Sequence, residues 1–268
     1  MDNSFKNHEV NYLSPSSINE YIINPAKWVL TYVHKYRDVF GNAAMWRGIA
    51  TEFGITESLR DGRISISTAQ FRARSKFLQL KDEFLNSEEI RKNITQAHLQ
   101  NIMKKVDYEL ATLPKYVEIG VPYFRNLGKP THYQKKIKLE IDGLPIPIIG
   151  YTDLQYDGIV RDIKTTNRLP SKISDSINRQ LAIYATAENS LPIVDYVYAT
   201  KTTQKVVSRP VENVESIMKE VEIASFNMMK MLSFSTDINE VASLIFPNFD
   251  DWRWSENEKN EAKKLWRI

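Results

Sequence analysis

GYTDLQYDGIVRDIKTT, the run from Gly150 to Thr166, reads as two β-strands joined by a tight Asp157-Gly158 turn. Asp-Gly is a preferred pair for a two-residue type I′ hairpin, because both turn residues take positive φ. Counting back from that loop sets Tyr156 against Ile159, Gln155 against Val160, Leu154 against Arg161 and Asp153 against Asp162. Directly opposed Cβ atoms lie roughly 4.5–5.5 Å apart, where like charges destabilise a sheet. Such a pairing requires a counter-charge. Lys164, two residues past Asp162, projects from the same face. Two acids and a lysine therefore converge, with room for a divalent cation between the acids. A lone Asp-x-Lys is most often a solvated strand face. Here the flanks are apolar: Ile146, Ile148 and Ile149 before the acids, and Ile159, Val160 and Ile163 around them. Ionised groups without partners are rare in core strands.

Outward from the hairpin, the pattern is extended from Thr131 onward. His132 to Ile141 alternate in part, and Asp142-Gly143 is a second hairpin turn. Leu144 to Tyr156 forms the middle strand and Ile159 to Thr165 the third; Pro145 and Pro147 cannot donate to a ladder and fray the start of the middle one. Downstream, Ser171 or Ser174 caps a helix to about Ala187, on which Gln180 and Tyr184, four residues apart, project together. A strand over Val194 to Thr200, a partner over Lys205 to Arg209 and an amphipathic helix from Val211 to Leu232 follow. The C-terminal piece carries Phe246, Phe249, Trp252 and Trp254, expected to pack as a cap, and ends in a mixed-charge helix.

Upstream, residues 1–12 read as a loose leader. Ser14 and Pro15 start a helix, and Asn24-Pro25 restarts the pattern. Residues 43–60 form a further helix, with Met45, Ile49, Glu52, Thr56 and Leu59 on one face. Glu52 is thus an acid on a mostly apolar stripe. Gly48, one turn earlier, costs about 1 kcal/mol relative to alanine and implies close approach by another backbone or a ligand. Residues 67–118 are charged and rich in helix formers, with helix starts at Ser67-Thr68 and Ser87 to Glu89; Pro114, Gly120, Pro122, Gly128 and Pro130 mark loops.

At 268 residues the chain can bury a full core, and 42% hydrophobic and 26% charged residues are ordinary for a globular protein. The net charge of +3 leaves no polybasic tail, although Arg72, Arg74 and Lys76, Lys104 and Lys105, and Lys135, Lys136 and Lys138 cluster locally. There are no cysteines, which excludes disulfides, thiolate zinc sites and iron–sulfur clusters. The four histidines (His8, His34, His98 and His132) show no ligand spacing. Neither a signal peptide nor an 18-residue apolar run is present, so a soluble, cytoplasmic protein with no membrane partner is expected.

The order of elements (helix with an inward Glu, helical insertion, three antiparallel strands, helix, strand) resembles the αβββαβ core of the PD-(D/E)XK nuclease superfamily. It is similar in particular to the RecB-like and phage exonuclease branch. The residues that carry the resemblance are Ser14-Pro15-Ser16 with Tyr21 and Asn24-Pro25, Gly48 followed by Glu52, Gly150-x-x-Asp153 followed by Asp162-Ile163-Lys164, and Gln180-x-x-x-Tyr184. Many relatives place a histidine where Glu52 stands. Those with an iron–sulfur cluster have a cysteine before the proline, where this chain has Asn24, so the resemblance is to the cluster-free branch. It implies an α/β (α+β) restriction-endonuclease-like fold, a mixed central sheet flanked by helices. The implied single nuclease domain spans 1–268: N-terminal helices over 13–60, a helical insertion over 67–118, the catalytic sheet and helix over 131–209, and a C-terminal helical cap over 210–268.

The activity the resemblance implies is metal-dependent hydrolysis of DNA phosphodiester bonds by an exonuclease, in phage or bacterial recombination, repair or replication. Mg²⁺ or Mn²⁺, one or two ions, would be the cofactor, since such ions favour hard oxygen ligands. Asp153 would be the principal metal ligand, with Glu52, Asp162 and the backbone carbonyl of Ile163 completing the shell. Lys164 would orient or deprotonate the attacking water. Gln180 and Tyr184 would position the substrate strand or brace the site, with Arg47, Ser14 and Ser16 as further substrate contacts. Linear DNA, by its ends or as a single strand, is the implied partner, with a single-strand annealing or binding protein beside it. Alternatives are a non-catalytic DNA-binding protein on the same fold, a structure-specific endonuclease, and a scaffold whose acids are structural.

Overall fold

Alternating apolar residues on either side of Asp157-Gly158 build the hairpin, and a computed structural model sets it within a five-stranded sheet of order β1-β2-β3-β4-β5. The structure describes residues 4–38, 42–88, 94 and 96–268. The strands are β1 (His132–Leu139), β2 (Ile148–Tyr156), β3 (Ile159–Thr166), β4 (Leu191–Ala199) and β5 (Gln204–Pro210). β1–β2, β2–β3 and β4–β5 are antiparallel, whereas β3 and β4 are parallel. A parallel neighbour needs a crossover, and the helix Asp175–Glu188, started by the Ser174 side chain, provides it. β2 begins only after Pro145 and Pro147, and Leu13 bonds to its edge through the Pro147 carbonyl and the Ile149 N–H.

The hairpin register follows the count from the turn: Tyr156 pairs with Ile159, Gln155 with Val160 and Leu154 with Arg161. The turn itself differs. Gly158 takes φ +65°, while Asp157 stays at negative φ, so one glycine suffices and the turn is not type I′.

The helices are α1 (Ser4–Asn7), α2 (Pro15–Ile23), α3 (Pro25–Trp28, continued by a π-turn over Val29–Val33), α4 (Ala43–Arg60), α5 (Ile66–Asn86), α6 (Gln96–Asn126), α7 (Asp175–Glu188), α8 (Val214–Leu232), α9 (Ile238–Ser243) and α10 (Glu256–Trp266). They cover both faces of the sheet with two separate apolar clusters. Val160, Val194 and Tyr196 pack against Ile18, Trp28, Leu181, Val221 and Met228 on one face. Leu154, Ile163 and Val197 pack against Trp46, Ile55, Phe77, Val117 and Phe124 on the other. The alternation of β3 thus sends Val160, Asp162 and Lys164 to the first face and Arg161, Ile163 and Thr165 to the second. Arg161 donates to both carboxylate oxygens of Asp195 at 2.7 Å, clamping the β3–β4 junction inside the protein.

Several local expectations are overturned by packing. The N-terminal leader is not loose from Ser4 onward: Phe5 is buried, Ser4 Oγ donates to the Met229 carbonyl at 3.2 Å, and the His8 ring meets the Ser235 carbonyl at 2.8 Å. Pro114, Gly120 and Pro122 lie inside α6 rather than in loops. Burial of Leu113, Tyr116, Val117, Val121 and Phe124 stabilises that helix against its prolines. At Gly120 a Cβ would sit 2.5 Å from Ile55, so the glycine lets α6 close on α4. Ser87 ends α5, Glu88 beside it is again helical, and Glu89 lies outside the described residues. Trp254 is buried against Phe249, whereas Trp252 and Phe246 face solvent and take no part in the cap's core.

Candidate active site

The pairing of β2 with β3 runs from the turn to Leu154–Arg161, one step short of the acids. Where continuation would set Asp153 against Asp162, the Ile163 N–H donates instead to Asp153 Oδ2 at 2.6 Å. The ladder on the other side is interrupted at the same level: Tyr133 pairs with Leu154 and Lys135 with Thr152, while Gln134 between them takes φ +47°. That left-handed conformation is uncommon for a residue with a side chain. The Gln134 amide donates to Glu52 Oε1 at 3.0 Å. The sheet is therefore opened around Asp153, and the opening is where α4 delivers Glu52.

Asp162 is 1% exposed. Its Oδ1 accepts from Lys164 Nζ at 3.0 Å and from Gln180 Nε2 at 3.2 Å, and Lys164 lies 2.8 Å from Oδ2. Gln180 also donates to the Tyr184 hydroxyl at 3.0 Å, so the two polar tips on α7 act as a unit. The Tyr184 ring fits there because residue 150 is glycine: a Cβ at Gly150 would lie 2.5 Å from Tyr184 Cε1. The structure thus brings Asp153, Asp162, Lys164, Gln180 and Tyr184 together, with Glu52 approaching from the neighbouring helix.

Burial, then repulsion from Glu52 and Asp162, pushes the Asp153 carboxyl well above its ordinary range. Burial likewise raises Glu52, with Asp162 adding to the shift and the Gln134 hydrogen bond opposing it. Burial alone would lower the Lys164 ammonium, but attraction to Asp162 and Asp153 outweighs it and the net shift is upward. Burial raises the Tyr184 hydroxyl to about 12, so it is neutral and able to donate.

The donor chemistry fits a hard divalent cation. The set is all oxygen, its acids repel one another, and Asp162 Oδ2 is buried with no hydrogen-bond donor, the ion pair with Lys164 aside. Among the described residues the carboxylates do not form a closed ligand cluster. Each is drawn to its own partner: Asp153 to the Ile163 N–H, Asp162 to Lys164 and Gln180, and Glu52 to Gln134.

Other sequence expectations meet a different geometry. Arg47, expected as a phosphate contact, is instead buried, ion-paired with Glu109 on α6, stacked over Tyr116 and bonded to Thr165 at 3.3 Å. The stripe that carries Glu52 is covered only past Glu52, where Thr56 and Leu59 are buried. Met45 is 51% exposed and Ile49 is also exposed, because α4 packs through Trp46, Ala50, Gly54 and Ile55. Gly48 faces Thr165, where a Cβ would find ordinary contact at 3.5 Å, so its small size is not demanded. Ser14 starts α2, its Oγ is 2.9 Å from Ser16 Oγ, and both serines line a groove of about 1380 Å³ that also contains Lys164, Gln180 and Tyr184. Gln134 and Glu109 had no sequence signal, since their roles arise from contacts 82 and 62 residues away.

The PD-(D/E)XK nuclease superfamily model matches residues 12–191, about two-thirds of the chain and all the residues just described. The chain belongs to the PD-(D/E)XK nuclease superfamily. No curated protein sequence matches it. Among solved structures, a protein from Eubacterium rectale named as a candidate exonuclease is similar over 96% of this chain and 90% of its own, with TM-score 0.55 and 11% identity. That likeness is one of fold. A second structure, SSO0001, covers 56% of this chain and 79% of its own at 16% identity and TM-score 0.29, too low to carry an argument. In this superfamily member, the mixed sheet and flanking helices set the acid–acid–x–lysine arrangement at the opened β2–β3 edge. Among the described residues, no helix is long and apolar enough to cross a membrane.

Proposed function

We propose that this superfamily member is a divalent-metal-dependent deoxyribonuclease that degrades linear DNA from its ends, in the setting of phage or bacterial recombination, repair or replication. The observation that carries the reading is the convergence of Asp153 and Asp162 with Lys164, Gln180 and Tyr184, the last three of which line one large groove. Glu52, Asp153, Asp162 and the Ile163 carbonyl would hold Mg²⁺ or Mn²⁺. When bound, such an ion supplies an acidified water and offsets phosphate charge. Lys164, paired with Asp162, orients or deprotonates the attacking water and offsets negative charge on the phosphate. Gln180 fixes Asp162 Oδ1 and the Tyr184 hydroxyl, holding the carboxylate in one orientation. Nearby lysines and arginines in the groove attract the DNA backbone. A single-strand annealing or binding protein fits the same reading as a partner.

The test is end-labelled linear duplex and single-stranded DNA beside closed circular DNA, with Mg²⁺, Mn²⁺ or EDTA, and an Asp162→Asn protein in parallel. Metal-dependent loss of linear DNA alone, absent in the variant, is expected. Cutting of the closed circle would reassign the protein as an endonuclease. Full activity of folded Asp162→Asn would sink the metal assignment.

A further inference from the structure

We infer that Trp252 is a stacking platform for a base of single-stranded DNA at the rim of the groove, an inference that rests on the deoxyribonuclease reading and names its substrate form. Trp252 is 82% exposed, the side chain of a residue type that ordinarily buries most of its surface. It is exposed from a fixed position. On one side Asp251 Oδ2 accepts from Asn24 Nδ2 at 3.2 Å. On the other the Arg253 carbonyl accepts from Lys27 Nζ at 2.5 Å, and Trp254 is buried against Phe249. A short segment pinned at both ends thus presents one indole outward. The Arg253 guanidinium, itself held by Asp251 at 3.0 Å, lies 4.8 Å from the centre of that ring.

The ring faces chemistry as well as solvent. Trp252 and Arg253 line the same groove as Lys164, Gln180 and Tyr184, so the platform shares one channel with the side chains that hold Asp162. Tyr12 and Tyr151, both more than half exposed, line it too. Lys35, Arg37 and Lys136 stand along its walls, with Glu9 and Glu20 opposing them. A cationic groove with exposed aromatic rings in its lining fits a strand whose bases are unstacked: the phosphates meet the cations and a base lies on each ring. A duplex keeps its base faces hidden, a protein surface would leave the cations without phosphates, and a phospholipid surface would offer the rings no base to stack on.

The experiment is fluorescence anisotropy in EDTA, where no cleavage intervenes, on the full chain. Probes are an oligothymidylate of about 12 nucleotides, within the span single-strand grooves cover, an abasic backbone of the same length and a blunt duplex of the same length. Wild type is expected to prefer oligothymidylate over the abasic strand by about ten-fold, the usual worth of base–aromatic stacking. Trp252→Ala should lower that preference several-fold, the share of one stacked base, with abasic affinity unchanged, and Trp252→Phe should retain most of it. Because the side chain is outside the core, both variants should melt as wild type does. Equal oligothymidylate binding by wild type and Trp252→Ala would overturn the inference, as would an equal loss on the abasic strand or a Trp252-dependent preference for duplex. Cleavage is measured separately with Mg²⁺. A protein that stacks but never cleaves refutes the nuclease reading alone, and one that cleaves but ignores Trp252 refutes the platform alone.

Discussion

Gly150→Ala should damage this protein through a single atom. The added Cβ would lie 2.5 Å from Tyr184 Cε1 and 3.4 Å from both Cζ and the hydroxyl oxygen. Carbon atoms rest at about 3.5–4.0 Å, so the ring must retreat by about 1 Å. It has little freedom to do so. Tyr184 is buried among Ile148, Leu181, Val194 and their neighbours, and forcing volume into such a core costs about 1–3 kcal/mol. For a chain of this size that is a fall in Tm of about 3–10 °C. The activity loss should exceed the stability loss. The Tyr184 hydroxyl accepts from Gln180 Nε2, which also donates to Asp162, so the shift reaches the acid. A 1 Å misplacement costs about 100-fold in rate. The assays are circular-dichroism melting and cleavage of end-labelled linear DNA at saturating Mg²⁺. Combining Gly150→Ala with Tyr184→Leu makes room for the methyl and should recover at least about 1 kcal/mol relative to Gly150→Ala alone, a coupling a double-mutant cycle resolves. Gly150→Ala melting within about 1 °C of wild type, or a double variant no more stable than the single, would refute the close-approach argument.

Asp153→Asn should raise the Tm of the metal-free protein by a few degrees while abolishing cleavage. It removes one of three mutually repelling acids, and unit charges about 5 Å apart repel by about 3 kcal/mol at an effective dielectric of about 20. The pH sign follows from the same shift. The folded Asp153 carboxyl titrates well above its ordinary 3.8, so the folded state holds this proton more tightly than the unfolded one. This group's contribution is most favourable below pH 3.8 and is lost as pH rises through the folded value. The wild-type-minus-variant difference in Tm should therefore shrink on acidification, and a difference that grows would contradict the repulsion. Arg47→Met breaks a buried pair and should cost about 3–5 kcal/mol without weakening binding of oligothymidylate by the folded fraction. Weakened binding at unchanged Tm would return Arg47 to the phosphate contacts. Mg²⁺ or Mn²⁺ should raise the Tm of wild type by ligand linkage and leave that of Asp162→Asn nearly unmoved, as differential scanning fluorimetry would read.

The features legible in the sequence were those that short-range rules control. The register from the Asp157-Gly158 turn, the start of α2 at Ser14, the bounds of α4 and the shared face of Gln180 and Tyr184 all follow from turn length, capping and helical period. What escaped depended on which face a distant element covers. The period of α4 identifies two candidate stripes. Only the arrival of α5 and α6 decides that Trp46, Ala50 and Gly54 are inside while Met45 and Ile49 are not. Arg47 reads as a free cation until Glu109 is folded against it. Pro114 and Pro122 read as breaks because local propensity carries no information about the apolar surface α6 buries. The opening at Asp153 was half legible: like charges announced that direct pairing was unfavourable, but not that Gln134 would leave the ladder on the other side.

The two apolar clusters give the site a particular dependence. Asp162, Lys164, Gln180 and Tyr184 stand on the face packed by α2, α7 and α8, whereas Glu52 is carried by α4, which belongs to the opposite cluster with α5 and α6. The acid set therefore spans a seam, and the opened β2–β3 edge is where the two sides meet. Thr165, the residue after Lys164, accepts from Arg47 on α4, and Arg47 is paired with Glu109 on α6. The end of β3 is thus fastened to the helical arm. The spacing of Glu52 from Asp153 and Asp162 is set by how closely α4 approaches, which in turn depends on the Gly54–Ala73 and Gly120–Ile55 contacts. A Cβ at Gly54 would sit 2.9 Å from Ala73, and one at Gly120 2.5 Å from Ile55. Packing far from the acids on the helical arm accordingly governs whether the third carboxylate reaches the other two.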